Sequence, residues 1–319
     1  MIYDLLSTLD EEKYLYIDLD DIRINKNTIL DNLDMFLKEY DIEVLVIENF
    51  EVNEPLVDEL KSLVSTLIFS SNKYQFIEGF NHIEVKPLDF EEFLLFENSF
   101  TNVTQSFNHF LKYGNMPISI EFDEQNKIQK LQEYIKLMSK DETELMILRT
   151  FIKSAAQTKS ILQLFNSLKK EMKISKDRFY NYCNYLEDSK IISFLPKFNQ
   201  PRSVKRVYIF DFILNNAISF QKNFNNVFNN MVFCELKQRY ENIFYIDGID
   251  FYIPKTDTIV LSISFFNEFQ VEAKKKKLLG VIENYNIKNV NIVTINNEFT
   301  FDIGDMECFV EPFYQWAFE

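Results

Sequence analysis

The sequence predicts an α/β protein built from successive parts, and three patterns carry that prediction. Residues 1–95 alternate short apolar runs with stretches of helical periodicity. Residues 141–213 read as amphipathic helices followed by a hairpin. Residues 214–319 return to strands grouped around one lysine-rich helix. Strands that alternate with helices imply crossovers and a parallel sheet.

In the first part, Tyr14-Leu15-Tyr16-Ile17-Asp18-Leu19 is an apolar run that ends at Asp20-Asp21. Residues 27–40 carry Ile29, Leu30, Leu33, Phe36 and Leu37 at helical spacing. Val44-Leu45-Val46-Ile47 is a continuous run of the kind found in strands buried on both faces. Residues 55–64 read as a helix with Leu56, Leu60 and Leu63 in register, and residues 65–71 as a further strand. Next come Gly79-Phe80, then Pro87-Leu88-Asp89-Phe90-Glu91-Glu92-Phe93, then Phe110-Leu111-Lys112-Tyr113-Gly114-Asn115-Met116-Pro117.

This order resembles a family of bacterial and archaeal AAA-type (P-loop) ATPases that end in a C-terminal domain of unknown function. The family shows Gly-Arg, then Pro-Leu-Ser-Phe-x-Glu-Phe, then Tyr-Leu-x-Tyr-Gly-Gly-Phe-Pro. The resemblance runs along essentially the whole chain and implies a truncated P-loop-like parallel sheet in residues 1–95, followed by a helical lid at 96–140. The departures fall on the chemistry. About a dozen residues precede Tyr14, where the family's first strand and Walker A loop would stand, and none is glycine. The Walker B pair, Asp then Glu in the family, aligns with Glu48 and Asn49. Asp holds magnesium and Glu orients the attacking water, and Asn49 has no charge with which to polarise water. The sensor position reads Ser70-Ser71-Asn72. Glu48 and Asn49 are then either a relic site or an ordinary strand end.

Residues 142–154 and 160–168 are amphipathic, and Ser175 is a suitable N-cap for a third helix. In that helix Phe179, Tyr182, Cys183 and Leu186 make the apolar face. A hairpin follows, Ile191 to Leu195 and Val207 to Phe210, with a basic tip between them. Three helices and a basic hairpin describe a winged helix over 141–213, and the same ATPase family carries one. In DNA-binding winged helices the third helix enters the major groove and the wing touches phosphate. The candidate base readers are Lys176, Arg178, Tyr180, Asn181 and Asn184, and the candidate phosphate contacts are Lys197, Arg202, Lys205 and Arg206. A winged helix that joins domains or binds protein is the alternative.

Residues 220–240 read as a helix containing Asn225, Asn229 and Glu235. Ile243–Ile246 and Ile249–Ile253 pair around Asp247-Gly248, residues 258–264 form a strand, 270–285 a helix and 290–295 a strand. This order resembles the restriction-endonuclease-like α/β domain at the end of the ATPase family. Active members of that superfamily use an Asp and a Glu-x-Lys to hold a metal and activate water. Asp250 matches the Asp, and the Glu-x-Lys register falls on Ser262-Ile263-Ser264. Hydroxyls replace neither a carboxylate nor an ammonium, so Glu235, Asp250, Ser262 and Ser264 are expected to be relics.

Composition narrows the function classes. The chain has 5 glycines, and no two lie within four residues of each other. A phosphate-cradling loop needs clustered glycines, so none is expected. Two histidines and three widely spaced cysteines offer little for a zinc site or a Ser-His-Asp triad. No signal peptide or membrane span is legible, so a cytoplasmic protein with reduced thiols is expected. The net charge is −15, yet residues 150–206 hold 12 bases against 4 acids, while residues 1–100 hold 7 against 23. The basic island is where nucleic-acid phosphate contact is plausible. The expected function is therefore a non-catalytic binding or regulatory protein that contacts DNA or RNA through residues 150–206, with no cofactor and no metal. The alternatives are a protein-interaction scaffold using the acidic N-terminal part, and a residual ATPase or metal-dependent nuclease.

Overall fold

The computed structural model describes residues 2–72, 75–97, 102–122, 124–220 and 223–318. It is a mixed α/β chain that packs as two units, Met1–Glu84 and Val85–Glu319.

The first unit holds α1 (Ile2–Leu6), β1 (Tyr14–Asp18), α2 (Lys26–Glu39), β2 (Val44–Glu48), α3 (Glu54–Leu63) and β3 (Thr66–Phe69). The strands form a parallel sheet in the order β1-β2-β3. Leu45, Val46 and Ile47 on the central strand are fully buried, as a continuous apolar run on a sheet covered on both faces requires. The Asn25 side chain accepts the Thr28 N–H and fixes the start of α2. Leu33 and Leu37 on α2 and Val57 and Leu60 on α3 then close the core with Ile17, Ile47 and Phe50.

The second unit opens with α4 (Phe90–Phe96), α5 (Val103–Tyr113), α6 (Lys127–Leu137) and α7 (Glu142–Lys153). Next come β4 (Gln157–Thr158), α8 (Ile161–Glu171), α9 (Lys176–Asp188), β5 (Ile192–Leu195) and β6 (Arg206–Ile209). The last three strands form a small antiparallel sheet in the order β4-β6-β5. Serine caps begin α8 and α9, where Ser160 accepts from Gln163 N and Ser175 from Arg178 N.

After α10 (Leu214–Ile218), α11 (Phe224–Arg239) leads into β7 (Phe244–Ile246), β8 (Ile249–Ile253), β9 (Thr258–Ser262), α12 (Val271–Tyr285), β10 (Asn289–Thr294), β11 (Phe299–Ile303), β12 (Met306–Pro312) and α13 (Phe313–Trp316). The expected helix over 220–240 begins at Phe224, and its Gln221 and Lys222 lie outside the described residues. So do residues 98–101 and 123 of the expected lid. Six strands make one mixed sheet, β11-β12-β10-β9-β8-β7, parallel at β9–β10 and β10–β12 and antiparallel elsewhere.

One hydrophobic core runs from Leu88 to Ala317 and joins the α4–α7 helices, the α8–β6 segment and the C-terminal sheet. Phe90 sits inside it, its ring 5.3 Å from Phe110, 5.7 Å from Phe313 and 6.0 Å from Phe107. A second core lies between the sheet and α12, around Leu278, Ile292 and Val310. Among the described residues no helix is long and apolar enough to cross a membrane.

Candidate nucleic-acid interface

Helix α9 buries Phe179, Tyr182, Cys183 and Leu186. The opposite face carries the predicted readers, with Lys176, Arg178, Asn181 and Asn184 exposed and Tyr180 half-buried. The Lys176 ammonium lies 5.4 Å from the centre of the Tyr180 ring, a cation–π contact that steadies a long side chain. Arg178 is committed elsewhere. Its guanidinium pairs with the Asp141 carboxylate, and that carboxylate also accepts the Thr143 and Glu144 N–H groups at the start of α7. Arg178 therefore braces α9 against α7. Lys169 and Lys170 at the end of α8, and Lys173 just after it, are exposed and extend the basic surface. The sequence shows these lysines plainly, but only the packing of α8 beside α9 makes them candidates.

The four hairpin bases divide into two pairs. Arg202 and Lys205 are exposed, with the Lys205 ammonium 5.7 Å from the Phe194 ring. Lys197 and Arg206 are turned inward. Lys197 Nζ donates to Asp247 Oδ2 at 2.6 Å, and its side chain is only 13% exposed. Arg206 Nη1 donates to the Asp250 carbonyl at 3.1 Å and lies 3.4 Å from Asp250 Oδ1, while its guanidinium covers the Tyr245 ring at 4.6 Å. The chain beyond β5 is itself fastened to β7. Phe198 N–H donates to Tyr245 O at 2.9 Å, and Tyr245 N–H donates to Pro196 O at 3.0 Å. The Phe198 ring stands edge-on to Tyr252 at 4.7 Å, Phe244 at 5.4 Å and Tyr285 at 5.9 Å.

The residues expected to be relics of catalytic motifs all have structural partners. Glu48 Oε2 accepts the Tyr16 hydroxyl at 2.8 Å. Asn49 adopts a left-handed backbone, φ 57, and its Nδ2 donates to Asp18 Oδ1 at 2.8 Å. Glu235 is 2% exposed, accepts the Phe90 N–H at 3.1 Å and pairs with Arg239 at 2.9 Å. Burial raises its carboxyl to about 7, against the opposing pull of Arg239 and the Phe90 N–H.

Asp250 Oδ2 accepts the Ser262 N–H at 3.0 Å. Burial also raises Asp250, opposed first by Arg206. Ser262 Oγ accepts from Asn229 Nδ2 at 2.5 Å, Asn229 Oδ1 accepts the Tyr208 hydroxyl at 2.8 Å, and Ser264 Oγ donates to Asn225 Oδ1 at 3.1 Å. Lys274 on α12 is half-buried and near enough to Asp250 to feel its charge, and burial lowers its pKa. The result is a polar chain linking β6, α11, β8 and β9. Among the described residues no group of three or more His, Cys, Asp and Glu is placed to hold a metal ion.

A family model described as a domain of unknown function, DUF8612, matches residues 104–219, from α5 to just beyond α10. An uncharacterized protein of Methanocaldococcus jannaschii is 27% identical over 375 residues, an alignment that takes in 99% of this chain and 84% of the relative.

Proposed function

We propose that this chain is a non-catalytic nucleic-acid-binding protein descended from the AAA-type ATPase family, and that α9 with the outer part of the β5–β6 hairpin is its binding face. The observation that carries the reading is the uncommitted outer face of α9, with Lys176, Asn181 and Asn184 exposed, Lys169, Lys170 and Lys173 beside it and Arg202 and Lys205 on the hairpin. Amides offer base-edge donors and acceptors, and ammonium groups meet phosphate. The helices α7–α9 around the β4-β6-β5 sheet support a winged-helix reading of this segment. The parallel β1-β2-β3 sheet with its crossover helices α2 and α3 supports a P-loop-like reading of the first unit. Asp250 beside Ser262 supports a nuclease-like domain whose carboxylate now pairs with Arg206.

An anisotropy titration of labelled duplex DNA and RNA between about 50 and 200 mM salt tests this. The expected result is affinity that falls steeply with salt, and that drops at least about tenfold when Lys176, Arg202 and Lys205 are changed to Glu. No binding at the lowest salt, or binding indifferent to those substitutions, would overturn it. A second reading, an acidic docking platform for a basic protein, draws on residues 1–84, which hold 19 acids against 6 bases. A stoichiometric partner that survives nuclease treatment would favour that reading.

A further inference from the structure

Asp211 lies between β6 and α10 and is fully buried. Its Oδ1 accepts the Ile213 N–H at 3.1 Å, and its Oδ2 has no hydrogen-bond partner among the described residues. The turn after α5 is pressed against this carboxyl. Gly114 has φ +94, and a Cβ there would stand 2.5 Å from Asp211 Oδ1 and 3.0 Å from Oδ2. Only glycine permits both that backbone and that approach.

Asn115, the next residue, is 1% exposed. Its Nδ2 donates to the Phe210 carbonyl at 3.1 Å, which places its amide beside Asp211. Its backbone carbonyl accepts the Leu88 N–H at 2.8 Å. Its Oδ1, like Asp211 Oδ2, has no donor. Two buried acceptors on neighbouring turns, each without a hydrogen-bond donor among the described residues, are a costly arrangement. A proton on the carboxyl would give Oδ2 a hydrogen to donate.

We propose that Asp211 is a proton-operated latch. Its carboxyl is protonated on Oδ2 in the folded protein and donates that hydrogen to Asn115 Oδ1, which fastens the turn after α5 to the turn before α10. Losing the proton leaves a carboxylate facing a carbonyl oxygen and releases the fastening. Burial raises the Asp211 carboxyl to about 7, against the pull of the Ile213 and Asn115 N–H groups and of Lys127.

The facing groups allow this. From α6 come Lys127, whose ammonium donates to the Lys112 carbonyl, and Tyr134, whose phenol is pushed up to about 12 by burial and then by Asp211. From α11 comes Cys234, whose thiol burial holds well above its ordinary value, with Glu235 next to it in the chain. The phenol and the thiol stay neutral near pH 7, so Lys127 is the single facing cation among the described residues, and its ammonium is already shared with a carbonyl. Since Asn115 also holds the Leu88 N–H, the segment that leads into α4 is tied to the state of the latch.

Full-length protein labelled with ¹³C in its aspartate side chains tests this by NMR. The Asp211 Cγ resonance, identified by its loss in Asp211→Asn, is expected to titrate near pH 7. Protection of the Leu88 amide against exchange, corrected for intrinsic rate, is expected to fall about tenfold through the same step. In Asp211→Asn the amide replaces the acid's donor, so Leu88 protection is expected to stay constant with pH. A Cγ shift that remains that of a carboxylate down to pH 5, or Leu88 protection indifferent to the titration, overturns the proposal. If Asp211→Asn does not fold, through-bond correlation assigns the wild-type resonance and the wild-type titration decides alone.

Discussion

Glu235 shows how one buried carboxylate can hold distant elements together. It caps the first turn of α4 through the Phe90 N–H and anchors Arg239, which also donates to the Ala317 carbonyl. One buried acid therefore ties α11 to α4 and to the end of the chain. Because its pKa in the fold is raised to about 7 from an ordinary 4.5, the folded state holds a proton that the unfolded state has released. Its contribution to stability is full below pH 4.5, declines up to about pH 7 and is then lost. The slope is about 1.4 kcal/mol per pH unit for one such group. Urea unfolding of Glu235→Gln at a series of pH values should show a shallower decline across that window than wild type. An unchanged slope would assign the pH dependence elsewhere. The sequence marks Glu235 only through a resemblance to a family motif. Its partner Phe90 lies 145 residues away, so its structural role is invisible there.

At the scale of elements, the hairpin beyond β5 is the feature that changes the functional reading. Its sequence suggests four equivalent phosphate contacts, but Lys197 and Arg206 are spent on Asp247 and Asp250. Those pairs span 50 and 44 residues, and no local pattern announces them. The fastening rests mainly on Phe198 among Phe244, Tyr252 and Tyr285, because a partly exposed ion pair is worth less than about 1 kcal/mol.

Phe198→Ala is therefore expected to cost about 2–4 kcal/mol in urea unfolding and to expose the Phe198 and Tyr245 amides to exchange. A cost under about 1 kcal/mol would show that the aromatic cage is incidental. Elements with strong local signals are legible from sequence. The Val44–Ile47 run and the Ser175-capped α9 are examples. β11, β12 and α13 are not, since β11 is an edge strand whose burial alternates and α13 has four residues. Helix α11 buries Asn229, Asn230 and Glu235 along with its apolar residues, so periodicity does not reveal which face matters.

For the whole molecule, charge and packing divide at the same place. The three core clusters draw either on residues 17–60 or on residues 88–317, and none mixes the two sets. Residues 1–84 carry 19 acids and 6 bases, whereas residues 85–319 carry 30 acids and 28 bases. A core complete within one unit implies that residues 85–319 fold alone, and a thermal transition close to that of the second unit in the full chain checks this. Removing the first unit also removes most of the chain's net negative charge. At low salt that charge repels nucleic acid over distances up to about 30 Å, and at 0.15 M salt the reach shrinks to about 8 Å. The isolated second unit should therefore bind nucleic acid more tightly than the full chain in dilute buffer, and the advantage should shrink as salt is added. Equal affinity at every salt concentration would mean that the acidic unit exerts no electrostatic control over the α9 face. Weaker binding by the fragment would mean that the first unit supplies contacts of its own.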